Sequence, residues 1–295
     1  MTDRPVVGFI GLGRMGSRMA DNIRKSLFPL MVFNRTRAVA EEFASGHETV
    51  VAETPAELAG SVDIVISMLA DGDALERIYD GPEGVLAGLR PGSIAIDMGT
   101  SGMEAVRRLW TQVADNGSVF IDAPVSGSIA LAEAGKLPVM VGADESDYER
   151  ALPVLESIGP VRRVGGPGTA ALLKLTVNSI LYGLNQAVAE GVILAEAGGV
   201  PAELTLDVIA GSAAGAPMVA YRTPQYLDPD GAPISFTLDL VRKDILLTLA
   251  QAEATGVPMP QLESTLDTVE ALIGQGDGDR DMGYVIEGER RKARP

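Results

Sequence analysis

Val6-Val7-Gly8-Phe9-Ile10-Gly11-Leu12-Gly13-Arg14-Met15-Gly16 is the stretch whose reading decides the fold. Its first five residues are mostly apolar and read as a buried parallel strand. They run directly into Gly11, Gly13 and Gly16, the spacing of a dinucleotide-binding turn. In such a turn the first glycine permits the tight bend and the second lets backbone approach a pyrophosphate. The third lets the following helix pack on the strand. Met15, Met19, Ile23 and Leu27 then recur at helical spacing, which points a helix N-terminus at the phosphates. Leu12, Arg14 and Met15, lying between the glycines, are expected to touch the cofactor with them.

The next strand, Pro29–Phe33, ends in Asn34-Arg35-Thr36-Arg37. A site selective for NAD usually places an acidic residue here for the ribose hydroxyls. This chain offers an amide, a guanidinium and a hydroxyl, which suit the charge-assisted, bidentate recognition of a 2′-phosphate. NADP is therefore the expected cofactor, read by Asn34, Arg35 and Thr36; the alternative is a solvated basic turn.

Further along, Val50–Ala52, Asp63–Leu69, Ser93–Met98, Val119–Ala123 and Val139–Gly142 read as strands. Helical stretches lie between them: Ala38–Ser45, one begun by Thr54-Pro55, one begun by Asp71-Gly72-Asp73, Glu104–Asn116 and Asp147–Ile158. Thr54 is an expected N-cap with Pro55 in the first helical position. This alternation predicts an α/β domain with a doubly wound parallel sheet over residues 1–166. Beyond Gly165-Gly166-Pro167-Gly168, Thr169–Gly198 lacks proline and keeps helical periodicity. A helix of about 29 residues would be roughly 44 Å long, and residues 167–198 are expected to join two domains. The remainder, 199–295, reads as helices only, over Pro201–Ala210, Thr237–Thr255 and Gln261–Gly274. So long an apolar helix suggests burial against a second copy of the chain, giving a homodimer or homotetramer.

Composition narrows the function. The 295 residues carry 40 acidic against 24 basic side chains, a formal charge of −16. Such a surface repels phosphate backbones and anionic membranes, so neither nucleic acid nor membrane is an expected partner. There is no cysteine, which removes thiolate chemistry and cysteine metal sites. The opening Met-Thr-Asp-Arg-Pro lacks an apolar signal core, and the expectation is a cytoplasmic protein. The single histidine, His47, lies in a polar stretch, so the proton donor must be another residue.

Lys174 and Asn178 fall one turn apart on one face of the long helix. Lysine within Ala170-Ala171-Leu172-Leu173-Lys174-Leu175 is either a proton-exchanging group or a snorkelling helix-end side chain. Asp122-Ala123-Pro124-Val125-Ser126-Gly127-Ser128 follows a strand at the sheet edge where ligands bind. Its Ser-Gly-Ser turn is either a carboxylate cradle or an ordinary polar turn. Leu69 and Thr100, at the ends of neighbouring strands, are expected near the cofactor. Lys243-Asp244 reads, from sequence alone, as an exposed ion pair on a helix.

Together these segments resemble the β-hydroxyacid dehydrogenase family, also called the 3-hydroxyisobutyrate dehydrogenase family. The likeness rests on Phe9–Gly16 with Met19-Ala20-Asp21-Asn22, on Asp122–Gly127, on Gly168 with Lys174 and Asn178, and on Lys243-Asp244. It implies a Rossmann domain followed by an all-α domain, and reduction of a small carbonyl substrate to a hydroxyacid. It further implies that Lys174 is the general acid and base, that Asn178 holds the substrate, and that Ser126, Gly127 and Ser128 bind its carboxylate. Lys243 would close on substrate and cofactor from the second domain, and Asp244 beside it is expected to bind the substrate. The glyoxylate and succinic semialdehyde reductase branch is the nearest match, through Pro124–Ser128, Ala132–Leu137 and Asn34-Arg35-Thr36. The chain departs from the family in Gly127-Ser128, where two glycines are usual, and in Gly99-Thr100-Ser101. Imine reductases share the fold and NADPH but usually carry aspartate or tyrosine where this chain has Lys174; NADPH-dependent imine reduction is the alternative activity.

Overall fold

The computed structural model describes residues 4–293. Eight strands form one sheet: β1 (Val7–Ile10), β2 (Leu30–Phe33), β3 (Thr49–Val51), β4 (Ile64–Ser67), β5 (Ile94–Asp97), β6 (Val119–Asp122), β7 (Val139–Gly142) and β8 (Val161–Gly165). Their order is β3-β2-β1-β4-β5-β6-β7-β8. The first six are parallel, with Phe9 level with Val32 and Ile66 and, one strand further, with Ile96. The chain moves outward from β1 in both directions, so the turn after β1 sits at the switch point, where open sheets bind ligands.

Side chains alternate across the strands, as a two-residue period demands. Val7, Phe9, Ile66, Ile96 and Ile121 enter one apolar layer, while Ile10, Val65, Ala95 and Phe120 enter the other. Both faces are therefore buried, each large side chain contributing about 1.5–3 kcal/mol. Gly8 has a packing reason: a Cβ there would lie 2.2 Å from Leu58, in the helix Pro55–Ser61. That helix starts as the sequence indicates, with Thr54 Oγ1 accepting the Glu57 N–H at 3.0 Å.

Two features depart from the parallel-sheet expectation. β7 runs antiparallel to β6, because residues after β6 fold back, with Val125 bridging Val139. β8, which the sequence reading leaves as loop, pairs with β7 through Val161-Arg162-Arg163. It is the last strand of the sheet and exposes Arg162 and Arg163, a composition that guards edges and hides them from an apolar-run search.

The chain divides into two compact units, one ending at Lys174 and one beginning at Leu175. The helix Thr169–Ala197 thus starts in the first unit and continues through the second. The second unit contains the helices Ala202–Ala210, Pro217–Leu227, Leu238–Thr255, Pro260–Gly274 and Val285–Ala293, with a short 3₁₀ turn at Met282–Tyr284. Its core gathers Tyr182, Val192, Tyr226, Leu238, Ile245 and Leu272. Pro217–Leu227 is absent from the sequence reading because prolines normally break helices. Here Pro217 occupies the helix start and Pro224 its last turn, the first a position where proline's missing N–H costs little. No helix among the described residues is long and apolar enough to cross a membrane.

Candidate active site

In the first unit, the glycine turn has the shape its spacing implies. Gly11 has φ +97°, and a Cβ there would lie 2.4 Å from the Met68 carbonyl oxygen. A Cβ on Gly16 would lie 1.9 Å from the Gly11 carbonyl oxygen. Both glycines are demanded by the protein itself. Around Gly13 there is open space, and that residue leaves an approach for a ligand. The Leu69 side chain packs beneath the turn, 3.0 Å from the Gly11 Cβ position. Met15 brings no side-chain acceptor to the start of the helix Gly16–Lys25, and the Ser17 and Arg18 N–H groups turn back to the Gly13 and Met15 carbonyls at 3.1 Å. Arg14 is exposed beside them.

Asn34 is held by two hydrogen bonds. Its Oδ1 accepts the Leu12 N–H at 3.0 Å, and its Nδ2 donates to the Thr36 carbonyl at 3.0 Å. The amide therefore braces the glycine turn against the β2 turn. Arg35 and Thr36 are exposed beyond this brace. Arg37 is engaged by Glu41 and Glu53, whereas Arg35 forms no ion pair among the described residues. No acid stands at this turn to reject a phosphate.

The ends of β5 and β6 are held by two buried carboxylates. Asp97 accepts Ser101 Oγ at 2.8 Å, Ser67 Oγ at 3.2 Å and the Gly99 N–H at 3.2 Å, folding the turn that carries Thr100. A Cβ on Gly99 would lie 2.8 Å from the Leu69 carbonyl oxygen, so a larger residue there needs a different turn. At β6, Asp122 Oδ1 accepts the Gly168 N–H at 2.7 Å and Oδ2 the Ala171 N–H at 2.8 Å. This carboxylate caps the helix that bears Lys174. Burial pushes its carboxyl up to about 6, against the N–H donors of Gly168 and Ala171, which favour the charge. The sequence reading quotes Asp122 without this role, because its partners lie 46 and 49 residues away. Lys174 itself is half-buried.

Beyond Asp122 the chain runs beside β7, with the Ser126 N–H donating to the Pro138 carbonyl at 3.0 Å. Gly127 has φ +139°, and a Cβ would lie 2.9 Å from Leu131. Ser126 and Gly127 remain the candidates for a carboxylate. Ser128 Oγ accepts the Leu131 N–H at 3.4 Å and caps the short helix Ile129–Glu133, a role that keeps the hydroxyl proton as a donor.

In the second unit the exposed ion pair expected at Lys243-Asp244 is also corrected. Asp244 is fully buried. Its Oδ2 accepts Asn178 Nδ2 at 2.8 Å and the Tyr182 hydroxyl, while Lys243 Nζ lies 2.8 Å from Oδ1. The helix Leu238–Thr255 places Asp244 on its inner face with Val241, Ile245 and Thr248, an i, i+3, i+4 pattern. Burial, reinforced by the neighbouring Asp244 charge, pushes the Tyr182 hydroxyl well above its ordinary range and keeps it a donor. Asp244 is thus an orienting carboxylate for Asn178 and Lys243, in place of the direct substrate contact expected. Among the described residues no group of three His, Cys, Asp or Glu could hold a metal.

Residues 6–166 match the model described as the NAD binding domain of 6-phosphogluconate dehydrogenase. Residues 168–287 match the one described as NAD-binding of NADP-dependent 3-hydroxyisobutyrate dehydrogenase. Glyoxylate/succinic semialdehyde reductase 1 of Arabidopsis thaliana is 32% identical, over 95% of this chain and 97% of its own. Among solved structures, Mycobacterium tuberculosis 3-hydroxyisobutyrate dehydrogenase with L-serine is 30% identical with a TM-score of 0.85, covering 97% of this chain and 99% of the other. A reductive aminase from Aspergillus terreus shares the fold at 22% identity and TM-score 0.64, covering 96% and 99%.

Proposed function

The chain belongs to the 3-hydroxyisobutyrate dehydrogenase family of NAD(P)-binding oxidoreductases, and on that premise we propose an NADPH-dependent reductase of small aldehydes or keto acids, reversible to the hydroxyacid. The observation that carries this reading is that Lys174 belongs to the same compact unit as the glycine turn and the Ser126–Gly127 segment. The relative whose name records glyoxylate and succinic semialdehyde supports a carbonyl substrate that bears a carboxylate.

The glycine turn fits a dinucleotide, since Gly13 leaves an approach and the helix start has no side-chain cap. Gly11–Gly16, with Leu69 and Thr100 just past the ends of β4 and β5, hold it. Arg35 and Thr36, steadied by Asn34, read the 2′-phosphate, and this is the basis for NADP over NAD. When bound, NADPH supplies the hydride. Lys174 Nζ gives a proton to the carbonyl oxygen and takes it back in reverse. Ser126 and the Gly127 N–H bind the carboxylate, Asn178 orients the substrate, and Lys243 engages substrate and cofactor. Residues 1–166 then serve the cofactor, 167–198 form the interdomain helix, and 199–295 serve substrate and dimerisation.

A homodimer, or a homotetramer built from it, is part of the same proposal, as is a cytoplasmic location. Leu173, Val177 and Ile180 are exposed along the long helix at spacings of four and three, and Leu194 follows two heptads after Ile180, a period that returns to one seam. A second copy of the same helix matches that period.

The test is NADPH oxidation against glyoxylate, succinic semialdehyde, tartronate semialdehyde, methylmalonate semialdehyde and a cyclic imine. Lys174→Ala is expected to cut turnover of a carboxylate-bearing aldehyde by about 10²–10⁴-fold. Turnover of the imine alone would overturn the reading.

A further inference from the structure

The buried carboxylate that caps the Lys174 helix does more than cap it. Asp122 is the last residue of β6, four positions ahead of Ser126, and its side chain is 2% exposed. Each of its oxygens takes one N–H from the start of the helix Thr169–Ala197, at Gly168 and at Ala171. These partners are three residues apart, Gly168 just ahead of the helix and Ala171 in its first turn. Lys174 follows Ala171 by three more, on the same side of the next turn.

A single-oxygen cap satisfies one N–H and leaves the helix free to swing about it. Two oxygens on two N–H groups fix both rotation and advance. A slip of one residue would turn Lys174 by about 100° and carry it about 1.5 Å along the axis. The surroundings are shaped for this grip: Gly142 faces Asp122 across the sheet, and a Cβ there would lie 2.5 and 2.6 Å from its two oxygens. Gly168 adopts φ +85°, turning the chain into the helix beneath the carboxylate.

We propose that Asp122 is a positioning residue for the proton transfer, locking the register of the Lys174 helix to the strand end that leads to Ser126. This rests on the reading of Lys174 as the proton donor. The carboxylate acts through geometry and touches no reacting atom.

The experiment is a double-mutant cycle on the full-length protein, with a carboxylate-bearing aldehyde as substrate. Asp122→Asn keeps the shape and one acceptor but turns an amide NH₂ toward the other N–H. It is expected to lower kcat roughly 10- to 100-fold, as a small misplacement does, with NADPH affinity by fluorescence titration unchanged. On a Lys174→Ala background it is expected to cost nothing further. Gly142→Ala, which pushes the carboxylate off its partners without altering its chemistry, is expected to reproduce the kcat loss and carries the test should Asp122→Asn not fold. An additive loss in the double variant, an equal loss of NADPH affinity, or unchanged kcat would overturn the role of Asp122 alone. Near-normal turnover in Lys174→Ala would overturn the Lys174 reading, and this one with it.

Discussion

Gly13 and Gly16 belong to one turn, yet the chain needs them for different reasons, and substitution separates the two. Gly13 has open space where a Cβ would go, while Gly16 has a carbonyl oxygen 1.9 Å away. Gly13→Ala is therefore expected to keep its melting temperature and lose NADPH affinity. Gly16→Ala is expected to lose about 1–3 kcal/mol of stability before any cofactor is added, measured by urea unfolding of the free protein. At the neighbouring turn, Arg35→Ala should weaken NADPH much more than NADH; equal weakening in a fluorescence titration would remove Arg35 from phosphate reading. The glycine turn is legible in sequence because its strand, its glycines and its helix lie within a few positions of one another. Asn34 is only half legible. Its type and place were read, but its bond to Leu12 spans 22 residues, and no local pattern announces it. Asp244 shows the same limit more sharply: beside Lys243 it reads as a surface pair, and only the distant Asn178 and Tyr182 explain its burial.

The elements of the second unit depend on one carboxylate more than on any cap. Asp281 pairs with the buried Arg222 of the helix Pro217–Leu227. It also accepts the Ser235 N–H at 2.8 Å, the Phe236 N–H at 3.2 Å and the Gly283 N–H at 2.9 Å. Three segments distant in sequence are thereby joined. Burial alone would raise its carboxyl, but the Arg222 charge and these N–H groups outweigh that and leave it below the ordinary value. A carboxyl depressed in the folded state contributes stability that is present above its unfolded value of 3.8 and lost as pH falls through the folded one. The second unit should accordingly weaken below about pH 4, and Asp281→Asn should flatten that dependence. The same substitution leaves Arg222 buried without its counter-charge, at an expected cost of about 3–5 kcal/mol by denaturant titration at neutral pH. Strand β8 and the helix Pro217–Leu227 escaped sequence reading for a related reason. Paired arginines and prolines argue locally against regular structure, and only the neighbouring β7 and Asp281 supply the partners that decide otherwise.

At the scale of the whole molecule, the alternation of strands and helices foretold the sheet, and the later run of helices foretold the second unit. Strand direction at β7 was not foretold, since polarity is set by how the connection folds and not by the strand's own residues. The apolar face of the long helix leads to a prediction about assembly. Ile180 and Leu194 are 66% and 77% exposed in the single chain, and Ile180→Glu with Leu194→Glu should convert the protein to a monomer by light scattering on a sizing column. An unchanged mass would remove this face from the interface. The boundary between the units has its own consequence for recombination. The compact units part between Lys174 and Leu175, inside a continuous helix and a few residues past the glycine-rich loop at Gly165–Gly168. A chimera spliced at that loop would exchange Lys174 along with the foreign half, and would ask Asp122 to grip a helix start from another parent. A working crossover belongs past Lys174, in helical phase, so that Asp122 and the helix start it caps come from one parent.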